Sequence, residues 1–226
     1  MTNPRLEPPV FHSRWYHLIA LRDALVEESK AAMGKRGPGQ TLVDLGCGSM
    51  PYREIFEPLV GHYVGVDLPE NLGADLHLNQ SGQVPLNDAS VDIVLSSQVL
   101  EHVPSPQAYL EEANRLLNPG GLLFLSTHGY WMYHQDPTDF WRWTREGLRK
   151  EIEQAGFRIE HIRGVMNLAA SGLQLFQDGV SARIPSRLRP LFFWLINRAM
   201  AIVDKIGGAE ARNRDACVFV IRAIKE

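Results

Sequence analysis

Apolar positions along the chain follow two periods. Short runs with the length of strands fall at about 41–45, 62–66, 73–78, 91–96, 121–127, 157–164 and 216–224, some mainly apolar, as at 41–45 and 121–127, and others, such as 157–164, alternating apolar with polar residues. Helical spacing intervenes at about 51–59, 105–117 and 144–155. Strands alternating with helices predict parallel strands joined by crossovers, hence an open α/β sheet with its ligand at the strand carboxyl ends. Upstream, Trp15, Leu18, Ile19, Leu21, Leu25 and Val26 mark one face of a helix from Phe11 to about Met33. Gly34 and Gly37-Pro38-Gly39 then stop it. The proline-rich residues 1–10 are expected to be poorly ordered.

The stretch from Asn167 to Asp215 is too long for a simple connection and should carry structure of its own. Leu188, Leu191, Phe192, Leu195, Ala199, Ile202 and Ile206 recur at helical spacing, and Phe193 and Trp194 widen the arc. Asn197, Arg198, Asp204 and Lys205 lie mostly off that stripe. The helix is too short to span a bilayer. It reads first as a helix packed on the sheet, then as a dimer surface, a substrate lid or a membrane-surface contact.

A chain of 226 residues with 45% hydrophobic content buries one good core, so a single domain is expected over 1–226. Its parts are an N-terminal helical cap (1–36), a ligand-binding core (37–165), a helical insertion (166–215) and a terminal strand (216–226). The net charge of -3 comes with no basic run or basic-aromatic patch, which argues against nucleic acid and for a small organic substrate. Cys47 and Cys217 form neither a disulfide pattern nor a metal spacing, as in a reducing compartment. The first nine residues lack an apolar core of signal-peptide length, so a cytoplasmic protein is expected.

Chemistry begins at Asp44-Leu45-Gly46-Cys47-Gly48, where an apolar strand runs into a turn whose glycines let a ligand lie on the backbone. Alone, the glycine pair is weak: a dinucleotide fingerprint would carry a third glycine where Pro51 and Tyr52 stand. A nicotinamide or nucleotide-sugar enzyme is therefore the lesser reading. The next strand, Tyr63 to Val66, ends in Asp67, placed to accept two ribose hydroxyls. Then come Val91 to Ser97 and Asn118-Pro119-Gly120-Gly121 leading into Leu122 to Leu125. In this order the motifs resemble the class I S-adenosylmethionine (SAM) dependent methyltransferases, in the branch acting mainly on small molecules. The resemblance covers about residues 40–165. It implies a Rossmann-like three-layer sandwich with sheet order 3-2-1-4-5-7-6 and the last strand antiparallel.

The resemblance places SAM on Asp44, Gly46, Cys47 and Gly48 at its methionine part, Asp67 at the ribose and Leu68 at the adenine face, with Tyr52 also expected to contact the cofactor. Relatives often carry an acid for the adenine amino group. Here Asn79 or Gln80 stands nearest, and either amide oxygen can accept that bond. Ser97 and Gln98 reach the methionine side. The run Ser97 to Val103 is also similar to ubiquinone-biosynthesis O-methyltransferases, in which an acid joins a Glu-His pair in a proposed metal site. In this chain Gln98 takes that acid's place beside Glu101 and His102. Amide oxygen is a weaker ligand for a hard cation, so no metal is expected, and Glu101-His102 reads as capping the following helix.

After the fifth strand, Ser126 to Thr144 concentrates three tryptophans, two tyrosines, two histidines and two aspartates. A loop needs no such aromatics to fold, so an acceptor site is favoured. The arrangement His134, Pro137, Asp139, Phe140, Arg142 is similar to methyltransferases often encoded with polysaccharide and glycolipid assembly enzymes. Methylating an alcohol requires a base, and histidine suits the role. His134 is the expected base, with Asp136 or Asp139 orienting it. His128, Tyr130, Trp131, Tyr133 and Arg142 are expected to contact the acceptor. Alternatively, Asp139 and Arg142 form an ion pair pinning the loop, which is compatible. The leading expectation is thus an O-methyltransferase for a sugar or glycoconjugate hydroxyl, with a homodimer among the assemblies left open. A methyltransferase for a phenol, carboxylate or amine and a non-catalytic SAM-binding subunit are the alternatives.

Overall fold

The computed structural model describes residues 3–34 and 39–226, and in it the alternation becomes one sheet. Strands β1 (Thr41–Leu45), β2 (His62–Asp67), β3 (Leu76–His77), β4 (Val91–Ser97), β5 (Leu117–His128), β6 (Phe157–Val165) and β7 (Val218–Lys225) lie in the order β3-β2-β1-β4-β5-β7-β6. The β5–β7 and β6–β7 pairs are antiparallel and the others parallel. The expected order and the reversed last strand are therefore present.

Both faces of the sheet are buried, in strict alternation. On β5, Leu123 and Leu125 face a layer with Leu110, Leu116, Leu148 and Ile152 of helices α3 (Pro106–Leu116) and α4 (Arg145–Gln154). Leu122 and Phe124 face the other layer, with Leu21 and Leu25 of α1 (Trp15–Met33). Each such side chain contributes about 1.5–3 kcal/mol when fully buried. Side-chain oxygens of Ser105 and Thr144 cap α3 and α4 by accepting from Ala108 and Gly147 backbone N–H groups. Ser105, not Glu101-His102, is therefore the cap of α3.

Other boundaries shift for local reasons. β3 keeps only two residues of the expected 73–78. The 51–59 segment divides into α2 (Arg53–Phe56) and a 3-10 turn, Glu57–Leu59, at Pro58. Gly34 caps α1, while the expected stop at Gly37-Pro38 lies outside the described residues. Residues 3–10 pack against the domain: Leu6 is buried, Asn3 donates to the Pro51 carbonyl, and Arg22 donates to that of Leu6.

The insertion holds three helices, α5 (Leu168–Ser181), α6 (Arg189–Val203) and α7 (Gly208–Arg214). The expectation that the apolar stripe of α6 packs on the sheet is corrected here. Leu188, Leu191, Leu195, Ile202 and Ile206 are 49–68% exposed, while Asn197, Met200 and Asp204 are buried. The polar groups decide the orientation. Asn197 accepts from the Tyr16 N–H and donates to the His12 carbonyl, and Asp204 accepts from the Tyr16 hydroxyl and the Asn167 N–H. Four bonds, two to Tyr16 of α1, one to His12 just before it and one to Asn167 at the N-cap of α5, thereby hold the polar face inward.

Candidate active site

The turn after β1 is fixed by backbone geometry. Gly46 has φ +78°, and a Cβ there would come within 2.7 Å of the Val99 methyls. Gly48, at φ +51°, faces open space where a side chain would intrude. The N–H groups of Gly46 and Cys47 donate to the Val66 carbonyl, tying the turn to β2. At the end of β2, Asp67 accepts from the Gly48 N–H and the Leu68 N–H, both at 2.8 Å. Asn71 donates to Asp67 and to the Gly48 carbonyl, each at 2.7 Å. The sequence reading missed Asn71; its four-residue spacing from Asp67 was the available signal.

Asp44 is buried and accepts a 2.5 Å bond from the Tyr63 hydroxyl. Burial pushes its carboxyl up to about 7; the Tyr63 bond opposes this and the Asp67 charge adds to it. A positive group brought beside it favours the ionised form. Burial, then the charges of Asp44, Asp67 and Asp75, push the Cys47 thiol up to about 12, so it lines the turn as a small neutral group. Tyr52 is buried, and its hydroxyl has no hydrogen-bond partner among the described residues.

On β4, Ser97 Oγ lies 2.9 Å from Ser126 Oγ, and Gln98 Nε2 donates to the latter. Gln98 Oε1 is buried without a hydrogen-bond partner among the described residues. The glycine cradle and the orphaned oxygens of Gln98 and Tyr52 fit a ligand bearing an amino-acid end and a ribose, as SAM does. Asn79 is placed differently from the expectation of a free adenine acceptor. Its Oδ1 takes the Ser81 N–H, the Ser81 hydroxyl and the Gln83 N–H, closing its own exposed turn. Gln80 is exposed beside it.

Glu101 departs furthest from its expected place. It is fully buried and reaches β5, where Oε2 accepts from Thr127 Oγ1 at 2.8 Å and Oε1 lies 2.8 Å from His128 Nδ1. Burial opposes its charge, but the His128 ring, its own backbone N–H and Thr127 outweigh that and hold the carboxyl below its ordinary range. His102 turns away, its Nδ1 2.5 Å from the Thr138 carbonyl. The Glu101 backbone carbonyl accepts from the Phe140 and Trp141 N–H groups, while that of His128 accepts from Trp143. The aromatic loop therefore hangs on the Glu101–His128 pair.

His128 is buried, with Trp131 stacked on its ring at 4.8 Å and 7°. His17 of α1 covers the Trp131 ring at 4.5 Å, and the Arg14 guanidinium sits 4.6 Å from its centroid. Arg14 also pairs with Asp178 of α5. The edge of His134 meets His128 at 5.2 Å and His102 at 4.9 Å. Burial, then the neighbouring imidazoles, lower its affinity for a proton.

The acids expected to orient His134 do other things. Asp139 forms a bidentate pair with Arg142, both bonds 2.6 Å, and accepts the His134 backbone N–H. Its carboxyl is held at about 2: burial opposes this, but Arg142 and the His134 N–H outweigh it. Asp139 Oδ2 is 3.9 Å from His134 Nδ1, beyond hydrogen-bond reach. Asp136 is exposed. Arg142, expected at the acceptor, directs its guanidinium to Asp139 and the carbonyls of Trp131, Met132 and Trp141. It holds the loop.

Beside the loop lies a cavity of about 260 Å³ lined by Tyr130, Trp131, Trp143, Leu175 and Phe219. Arg214 and Asp215 form its polar rim, and the Tyr130 hydroxyl donates to Asp215 at 3.2 Å. Tyr133 projects from the loop, 65% exposed. The cavity thus offers apolar ring faces beside polar groups.

Sheet order, glycine turn and strand-end acid together define a class I SAM-dependent methyltransferase. Residues 15–162 match the model of a methyltransferase domain family, and the chain belongs to that family. Its cofactor is accordingly SAM. The chain is similar to the ubiquinone biosynthesis O-methyltransferase of Paraburkholderia phytofirmans, 37% identical over 103 residues, covering 39% of this chain and 44% of that enzyme. It is also similar to an uncharacterized methyltransferase of Mycobacterium ulcerans, 38% identical over 127 residues and half of each chain. The matched segment is thus half or less of these relatives. In fold it is similar to the SAM-dependent methyltransferase of Mesorhizobium loti, with TM-score 0.57, 18% identity, and coverage of 90% of this chain and 100% of that one.

Proposed function

We propose that the protein transfers a methyl group from SAM to a hydroxyl of a sugar or glycoconjugate, with His128 as proton acceptor. The observation carrying this reading is the buried Glu101–His128 pair at the β5 end, beside the aromatic-lined cavity. The carboxylate oxygen 2.8 Å from Nδ1 is close but out of line for a full hydrogen bond; its charge favours the tautomer with the proton on Nδ1, leaving Nε2 to accept one. Glu101 also stabilises the imidazolium that forms, as the acid does in a catalytic triad.

When bound, SAM supplies an electrophilic methyl on a sulfonium centre. His128 Nε2 would take the acceptor hydroxyl proton as the methyl moves to that oxygen, the electron pair of the broken carbon–sulfur bond remaining with the departing thioether. Trp131 holds the imidazole plane. His134, edge-on to His128 and partly exposed, gives the proton a way out. The sequence motif favoured His134 as the base; among the described residues the carboxylate paired with its Nδ1 lies 3.9 Å away against 2.8 Å for His128, which moves that role to His128. Cavity walls of tryptophan and tyrosine suit the C–H faces of a sugar ring, and Asp215 suits its hydroxyls.

A second acceptor class, a phenol, is favoured by the name of the ubiquinone-pathway relatives. Purified protein incubated with labelled SAM and a panel of sugars, phenols and amines tests the choice. Labelled product from a sugar is expected. Product from phenols alone overturns the acceptor, and S-adenosylhomocysteine binding without turnover on the panel supports a non-catalytic subunit.

A further inference from the structure

The apolar stripe of α6 faces away from the protein and is not part of the site. Within the helix, Leu191, Leu195 and Ile202 fall within about 40° of one another in helical projection, with Arg198 about 20° beyond their edge. Leu188 and Ile206 continue the exposed apolar surface at either end. Charge along this segment is mainly of one sign, the nearest flanking acids being Asp178, paired with Arg14, and the exposed Glu210. Residues 179–206 contain Arg183, Arg187, Arg189, Arg198 and Lys205 but a single acid, Asp204. That acid is buried and bonded to Tyr16 and Asn167. Among the described residues none of the five cations is paired with a carboxylate, in a chain whose net charge is -3. Arg198 instead rests on the rings of Trp15 and Trp194 at the border of the stripe.

We propose that α6 docks in the plane of an anionic lipid bilayer, its leucine and isoleucine side chains entering the acyl boundary and its basic residues meeting the headgroups. Charge complementarity selects this occupant. A two-fold pairing with a second copy would bring two sets of unpaired cations together around the stripe, with no acid from residues 179–206 free to meet them. An anionic surface satisfies the cations and covers the apolar residues at once. Among the described residues no helix is long and apolar enough to cross a membrane, so the contact is interfacial. It also bears on access to the site, because α5 packs against α6 and supplies Leu175 to the cavity wall.

Sedimentation of the full chain with vesicles tests this. Recovery with phosphatidylcholine–phosphatidylglycerol vesicles, falling with added salt, and little recovery with phosphatidylcholine alone is the expected result. L191Q/L195Q/I202Q should abolish recovery, with thermal stabilisation by S-adenosylhomocysteine confirming its fold. R187Q/K205Q alters two exposed side chains and decides the matter even if the triple variant does not fold. It should weaken partition by about fivefold per residue. No binding, equal binding to neutral vesicles, or binding unchanged in R187Q/K205Q overturns the proposal. So does a dimer in light scattering that the triple variant converts to monomer, since a second copy then covers the stripe.

Discussion

At the β1–β2 end of the sheet, the turn from Gly46 to Gly48 is held by backbone N–H groups and one carboxylate, and its parts lie within about 30 residues of sequence. At the β5 end, Glu101 comes from the segment after β4, His128 from β5, His17 from α1 and Asp178 from α5. The first arrangement is backbone made rigid by glycine. The second is a stack of side chains from four parts of the chain. A cofactor common to a family is met by the part that a short motif can specify. On the proposed function, an acceptor particular to one enzyme would be met by the part assembled through tertiary packing.

The largest expected effect separates the two ends. His128→Ala should lower turnover by roughly 10²–10⁴-fold, the usual range for one general base. Calorimetry should find S-adenosylhomocysteine affinity unchanged. Glu101→Gln should slow turnover while retaining shape. If His134→Ala abolishes transfer and His128→Ala does not, the base is His134.

Arg142→Ala leaves the buried Asp139 carboxylate without its partner, a change of about 3–5 kcal/mol where an ion pair is fully buried. The loss here should be smaller, because the arginine is 28% exposed. Turnover should fall with cofactor affinity retained, and loop tryptophan fluorescence should change. Asp139 is held at about 2, so this ion pair contributes stability above the ordinary aspartate range and loses it only as pH falls through about 2. An acid limb of activity near neutrality therefore does not come from it.

At the cofactor end, Asp67→Ala should weaken S-adenosylhomocysteine binding by about 1.5–3 kcal/mol, the worth of hydrogen bonds to a charged group. Unchanged affinity would remove Asp67 from the ribose. Asp44 gives this end its own pH dependence. Its carboxyl is raised to about 7, so the free protein holds a proton there that the unfolded chain releases. That stabilising term is full below the ordinary aspartate pKa and is lost as pH rises through about 7. Affinity for the cationic cofactor should move oppositely, rising as Asp44 ionises. Asp44→Asn should flatten both trends, measured by thermal melts and calorimetry across that range.

The smallest effect belongs to Asn79→Ala, which removes three acceptor bonds within an exposed turn. About 1 kcal/mol or less of stability should be lost, with cofactor affinity nearly constant. A tenfold weaker affinity would restore Asn79 to the adenine.

The strand positions, the glycine turn and the Asp67 carboxylate were legible because each rests on local pattern: apolar runs, residues without side chains, an acid at a strand end; the sheet order and the reversed last strand came only with the family resemblance. The acceptor side was legible only in composition. His134 carried the sequence motif, yet His128 received the acid, because Glu101 turns inward to β5. Asp139 and Arg142 were readable as a pair, but not that the pair would occupy the guanidinium.

The sequence by itself determined the α/β alternation, the cofactor turn and the amphipathic character of α6. Period and composition act over a few residues and need no partner to be read. Tertiary structure alone decided that Glu101 meets His128 and that the apolar stripe of α6 faces outward. Each depends on which distant polar groups are brought together in the fold: Thr127 and His128 for Glu101, and Tyr16, His12 and Asn167 for Asn197 and Asp204. Leaving those groups unpaired in the interior costs more than exposing a few leucines, so the polar bonds set the direction in which the apolar residues point.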